Sequence, residues 1–97
     1  MTENKEVAAL IPWSAVEDSQ LNVAQLILLG RIVYLAEGKG RCWPDNAALA
    51  AVMNRSERNI SSHLRVLEDT GYITRSFIRT STGRKLRIIH TTSKTKP

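Results

Sequence analysis

Hydrophobic positions follow a helical spacing as far as Gly71, and after it the chain becomes rich in Ile, Tyr, Thr and Phe. The clearest stripe lies between Ser56 and Gly71, where Ile60, Leu64 and Leu67 fall at i, i+4 and i+7. The opposite side of that helix carries Arg58, Ser62, Arg65 and Asp69, with Asn59 and Ser61 on its flanks. Ser56 suits the N-cap, where its hydroxyl accepts a free backbone N–H of the first turn, and Gly71 suits the left-handed position past the C-terminus. Upstream, Asn22 with Gln25 forms a capping box for a helix over about 23–37. It has one stripe of Leu26, Leu29, Val33 and Ala36 and a second of Leu28, Ile32 and Leu35, so the helix is expected to be buried. The second stripe is expected under the N-terminal segment, with a homodimer interface as the alternative. Residues 1–9 read as a loose terminus. Leu10 to Trp13 is too apolar for water, and Ser14 to Glu17 has capping-box spacing for one helical turn. Ile11 and Trp13 are expected to cover part of the core or of a neighbouring subunit.

The middle of the chain supplies a shorter helix. Asp45 caps about 46–53, with Ala48, Leu49, Val52 and Met53 expected inward. Asn54-Arg55 makes the turn into the helix that starts at Ser56; Asn tolerates the positive φ of such a corner. A short helix, a tight turn and an amphipathic helix with a polar outer face make a helix-turn-helix pattern. Gly38 to Gly40 is a flexible turn, and Arg41-Cys42-Trp43 reads as a short strand closed by Pro44. Beyond Gly71, Tyr72 to Arg79 and Arg84 to His90 form a β-hairpin around Thr80 to Gly83. The expected register sets Arg79 opposite Arg84, Phe77 opposite Leu86 and Arg75 opposite Ile88. Thr91 to Pro97 is polar and expected to fray. The order predicts an α+β winged helix-turn-helix, with three main helices and a C-terminal hairpin wing. Its expected divisions are an N-terminal segment 1–20 packed on the core, a domain at 21–90 and a basic flexible tail at 91–97.

Charge sharpens this picture. The 97 residues carry a net +5. Residues 1–20 hold one basic and four acidic groups, and residues 21–74 hold six basic and five acidic ones. Residues 75–97 hold seven basic groups and no acid, so the positive charge gathers in the last quarter and points to a polyanion. The single cysteine, Cys42, excludes an internal disulfide and is expected in the core. Neither a membrane-length apolar run nor a signal-peptide pattern occurs, so a cytoplasmic, nucleoid- or plasmid-associated location is the default.

No catalytic constellation emerges: there is no phosphate-cradling Gly-rich loop, paired-His motif or Ser-His-Asp arrangement. His63, His90 and Cys42 lack metal-ligand spacing, and no cofactor or small-molecule ligand is indicated. The chain reads as a binding protein and not as an enzyme. Cys42-Trp43-Pro44-Asp45, Leu49-Ala50, Ser56, Ile60, Leu64, Leu67-Glu68 and Gly71-Tyr72-Ile73 resemble the winged helix-turn-helix domain at the N-terminus of phage and plasmid replication initiators and in related small regulators. The resemblance covers about 21–90. It departs at Asn54-Arg55, where the family usually has Gly, and at Glu57, where basic residues are common. It implies sequence-specific binding of double-stranded DNA as the DNA-binding domain of a phage- or plasmid-type replication initiator, with a free-standing transcriptional regulator of a mobile element or a winged-helix protein-interaction module as alternatives.

In a helix-turn-helix the second helix enters the major groove and its N-terminal residues reach base edges. Here those are Arg58, Asn59 and Ser62, with Arg65 one turn later; Arg pairs with guanine and Asn with adenine. Arg55, Ser61 and His63 are the expected phosphate contacts. In the wing, Arg79, Thr80, Ser81, Thr82, Arg84 and Lys85 make a cationic, hydroxyl-rich tip for the backbone or the neighbouring minor groove. Val66 falls toward the polar side with no evident partner.

Overall fold

The computed structural model describes residues 9–96. The expected loose terminus therefore lies, for residues 1–8, outside the described residues. The element order is α1 (Trp13–Val16), α2 (Val23–Leu35), β1 (Arg41–Cys42), α3 (Asn46–Met53), α4 (Glu57–Asp69), β2 (Ile73–Arg79), β3 (Lys85–Thr91) and a final 3-10 turn (Ser93–Thr95). Three main helices, α2 to α4, pack with a three-stranded antiparallel sheet of order β1-β3-β2. This is a winged helix-turn-helix.

α2 opens on a complete capping box: Asn22 Oδ1 accepts the Gln25 N–H at 2.8 Å, and Gln25 Oε1 accepts the Asn22 N–H at 2.9 Å. It ends before the expected residue 37, because the Ala36 carbonyl already accepts the N–H groups of Lys39 and Gly40. Leu28, Leu29 and Ile32 have no exposed surface. The N-terminal segment does not cover the Leu28–Ile32 stripe as expected. Leu10 donates its N–H to the Gly30 carbonyl at 2.9 Å, and a Cβ on Gly30 would stand 2.6 Å from Ile11 Cγ1. At 100° per residue Gly30 lies opposite Leu28 and Ile32, which therefore face the interior of the same chain. The glycine is what lets the segment lie flat on the helix.

The N-cap of α1 is Pro12, without a side-chain cap and two residues before the expected cap Ser14. Ser14 sits inside it and donates to the Lys94 carbonyl at 3.1 Å. Ala15 is buried, whereas Trp13 remains 71% exposed and covers none of the core.

α3 is capped by Asp45, whose carboxylate accepts the Ala48 N–H at 2.8 Å. Its buried residues are Leu49 and Ala50, with Met53 partly buried, while Ala48 and Val52 face solvent. The helix is apolar nearly all round (NAALAAVM), so spacing alone does not choose its inner face. Asn54 takes the left-handed conformation, φ 55°, that its side chain tolerates. α4 then buries Ile60, Leu64 and Leu67 completely. Its end is a Schellman motif: Tyr72 N–H reaches the Leu67 carbonyl and Gly71 N–H the Glu68 carbonyl, both at 3.0 Å, with Gly71 at φ +89°.

The hairpin register differs by one residue from expectation. Thr80 N–H bonds the Arg84 carbonyl at 2.8 Å and Gly83 N–H the Thr80 carbonyl at 2.9 Å. The loop proper is therefore Ser81 to Gly83, closed by Gly83 at φ +85°, a three-residue loop with a bulge in place of a four-residue one. Arg79 pairs with Lys85, Phe77 with Arg87 and Arg75 with Ile89. β1 pairs with the far end of β3, Cys42 opposite Ile89. The buried Cys42 thiol points its Sγ at the Ile32 carbonyl, and burial pushes its pKa up to about 11.

The end of the chain is tied down where fraying was expected. Thr92 Oγ1 donates to the Gly71 carbonyl at 2.6 Å, and Lys94 Nζ donates to the Thr70 carbonyl at 2.6 Å. Lys94 thereby meets the negative end of the α4 dipole. Beside it, the Tyr72 hydroxyl donates to Asp18 Oδ2 at 2.7 Å, joining the turn after α1 to the exit of α4.

Two outcomes follow for stability. Asn54→Ala should cost about 1 kcal/mol and Asn54→Gly should be neutral or slightly stabilising, read from urea midpoints at constant m. Burial first, then the hydrogen bond and charge of Asp18, raise the Tyr72 pKa from 10.0 to about 12. The stability contributed by neutral Tyr72 is thus complete below pH 10 and lost as pH rises toward 12. Tyr72→Phe should flatten that alkaline limb in a pH series of thermal midpoints.

Candidate nucleic-acid interface

The second helix of the pair, α4, is anchored before its polar face is set. Ser56 Oγ accepts the Asn59 N–H at 3.1 Å, which makes Ser56 its N-cap. With Ile60, Leu64 and Leu67 inward, Arg58, Asn59, Ser61, Ser62 and Arg65 are all exposed. Arg58, Ser62 and Arg65 lie together, opposite the buried stripe. Among the described residues Arg58 has no hydrogen-bond or ion-pair partner. Arg65 Nε stands 3.9 Å from Asp69 Oδ2, with both side chains open to water, a pair worth little. Arg55, in the turn, is exposed, and among the described residues no hydrogen bond or ion pair engages its side chain.

Two residues of α4 lie on the flanks of the buried stripe. His63 is half-buried, its Nδ1 3.3 Å from Nε2 of the buried Gln25 on α2. With the amide donating, the imidazole proton sits on Nε2. Val66 is partly buried against the core, so it is a flank of the apolar stripe and not a lone surface residue.

The wing is fastened at two places. Arg75 donates from Nη2 and Nε to Glu68 Oε1 at 2.6 and 3.1 Å, joining β2 to α4. Arg87 donates to Asn46 Oδ1 at 2.6 Å and to the Pro44 carbonyl at 2.7 Å, joining β3 to the start of α3. Burial lowers the Arg87 pKa. At the tip, Arg79 Nη1 donates to the Gly83 carbonyl at 2.9 Å, and the Thr80 and Thr82 hydroxyls share a 3.0 Å bond. Thr80 Oγ1 also accepts the Arg84 N–H at 3.2 Å. Ser81, Arg84 and Lys85 are exposed, Lys85 with its Nζ 4.5 Å from the Phe77 ring centre.

A helix-turn-helix domain model matches residues 19–73, more than half of the chain. The chain belongs to the helix-turn-helix domain family. A solved structure from Methanosarcina mazei Go1, described as a possible transcriptional regulator, is 19% identical with a TM-score of 0.59. The likeness covers 76% of this chain and 58% of that one, so the chain spans less than two thirds of its neighbour and shares its fold. No curated protein sequence matches. Membership of this family supports DNA as the partner. No described helix is long and apolar enough to cross a membrane.

In this helix-turn-helix, Arg58, Asn59, Ser62 and Arg65 share one exposed surface, whereas the wing residues form a separate one at the hairpin tip. Seven basic groups after residue 74 overstate the charge open to a ligand. Arg75, Arg87 and Lys94 are bound to protein acceptors, and Arg79 closes its own turn. α4 itself carries two arginines against Glu57, Glu68 and Asp69. The sequence pattern does not point to Glu68 or Gln25 as residues that position the site. Glu68 reads as part of the exit of the helix, and its partner seven residues on lies beyond the Gly71 turn, outside any helical spacing rule.

Glu68→Gln should therefore cost about 0.5–1 kcal/mol, the pair being partly exposed. Amides of β2 should exchange faster while those of α2 keep their protection, a pattern that hydrogen exchange would resolve.

Proposed function

We propose that this chain binds double-stranded DNA sequence-specifically, with α4 in the major groove and the wing on the backbone or adjacent minor groove. The observation that carries the reading is the free surface of Arg58, Asn59, Ser62 and Arg65 on the second helix of a helix-turn-helix. Arg58 and Asn59 lie in the first turn and a half of α4, the part that reaches base edges in this motif. Ser62 is short enough to let the helix approach closely. Arg55, Ser61 and the Nε2 proton of His63 serve phosphate oxygens. Thr80, Ser81, Thr82, Arg84 and Lys85 do the same at the wing, with Arg79 bracing the tip.

Because α4 is close to neutral, most counterion release falls to the wing and to Arg55, and α4 chiefly selects the sequence. The segment from Cys42 to Asp45 and the exit from Leu67 to Ile73 support the DNA-binding domain of a phage- or plasmid-type replication initiator. The described role of the archaeal neighbour keeps a free-standing transcriptional regulator as the second reading. Residues 21–90 form the binding domain, with 9–20 lying on it and 91–96 closing it.

Arg58→Ala should weaken the preferred site by roughly 1–3 kcal/mol and relax one base position in a selection from random duplexes. Equal loss on every sequence would remove Arg58 from base reading. Lys85→Ala should weaken all duplexes alike and lower the slope of log K against log salt by about 1. A chain with no salt-dependent affinity for any duplex would be a protein-interaction module instead.

A further inference from the structure

The observed register assembles a face of the wing that the expected one does not. Phe77 stands opposite Arg87, between Arg75 and Arg79 on its own strand, with Lys85 on the diagonal. A phenylalanine 54% exposed amid four cations does nothing for the core. Its ring carries the Lys85 ammonium at 4.5 Å, a cation–π contact at an exposed site that is weak enough to exchange.

This face borders an open cleft. Trp43 to Asn46, the approach to α3, forms a second wall, and the two flank a cleft of about 540 Å³. That volume lies within the roughly 300–1,000 Å³ of small-ligand sites. Arg87 ties the walls together through Asn46 and Pro44, and its own Nε is buried without a hydrogen-bond partner among the described residues. Asp45 is the one acid among the lining residues, and its carboxylate is committed to capping α3. Among the described residues, no hydrogen bond or ion pair engages the side chains of the lining cations Arg84 and Lys85.

A flat apolar ring beside free cations matches a base attached to a phosphate. A base inside an intact duplex has both faces covered by its neighbours, so only an unstacked one can use the ring. We infer that the cleft between the wing and the start of α3 takes one unpaired nucleotide of a DNA strand, its base on Phe77 and its phosphate on Arg84 and Lys85. On entry the Lys85 ammonium leaves the ring for the phosphate. The inference rests on the DNA-binding reading above and adds to it a preference for locally opened DNA.

Fluorescence anisotropy with the full chain tests this on three probes: a selected duplex, the same duplex with one bulged nucleotide, and a single strand. The bulged duplex should bind more tightly than the perfect one. Phe77→Leu should weaken the bulged duplex and the single strand about tenfold, leave the perfect duplex within about twofold and keep the thermal midpoint. Phe77→Tyr should restore binding. Equal loss on all three probes, or no loss on any, overturns the inference. A wild-type chain that binds the perfect duplex but gains nothing from the bulge overturns this inference alone; one that binds no duplex overturns the reading beneath it.

Discussion

The burial of Ile60, Leu64 and Leu67 sets the rotation of α4, and most of the molecule is arranged around that seat. Each of these side chains has no exposed surface and contributes about 2 kcal/mol from leaving water. Because side chains advance by 100° per residue, fixing three of them inward leaves no freedom for the rest. Arg58, Ser62 and Arg65 must then face outward, and His63 and Val66 must lie against the flanks. The caps at Ser56 and Gly71 determine where this helix starts and stops, so the outward surface has a defined length as well as a direction.

Around that seat, polar contacts make the wing and the helices a single body. Glu68 with Arg75 and Arg87 with Asn46 fasten both strands of the hairpin to the helix-turn-helix. Each takes a cation from the pool open to a ligand and converts it into a positional constraint. The result is a division between a nearly neutral helix and a wing tip that keeps its free charge. Long-range attraction and base choice can then be tuned by different residues. The cleft beside Phe77 lies between these fastenings, which hold its walls at a fixed separation.

Much of the fold was legible because its signals are local. The capping box of Asn22 and Gln25, the Asp45 and Ser56 caps, the left-handed Asn54 and the Gly71 exit each involve residues within about four positions. Such pairs meet whenever the helix forms, whatever lies elsewhere. The buried stripe of α4 was equally clear, since its opposite side is strongly polar. In α2 and α3 apolar residues occur on more than one side. There the pattern announced burial but did not say which side met which neighbour.

By itself, then, the sequence determined the order of the main elements, the caps that open α2, α3 and α4, the inward stripe of α4 and the outward surface that the proposed DNA reading uses. Tertiary structure decided the placement of the N-terminal segment on Gly30, the inner face of α3 and the pairing of the hairpin. It also decided which cations are free. Those outcomes depend on contacts between residues far apart in the chain, such as Arg87 with Asn46 and Tyr72 with Asp18, and on a loop bulge that shifts every cross-strand pair by one. A spacing rule carries no information about such meetings, because they are chosen by the packing of whole elements.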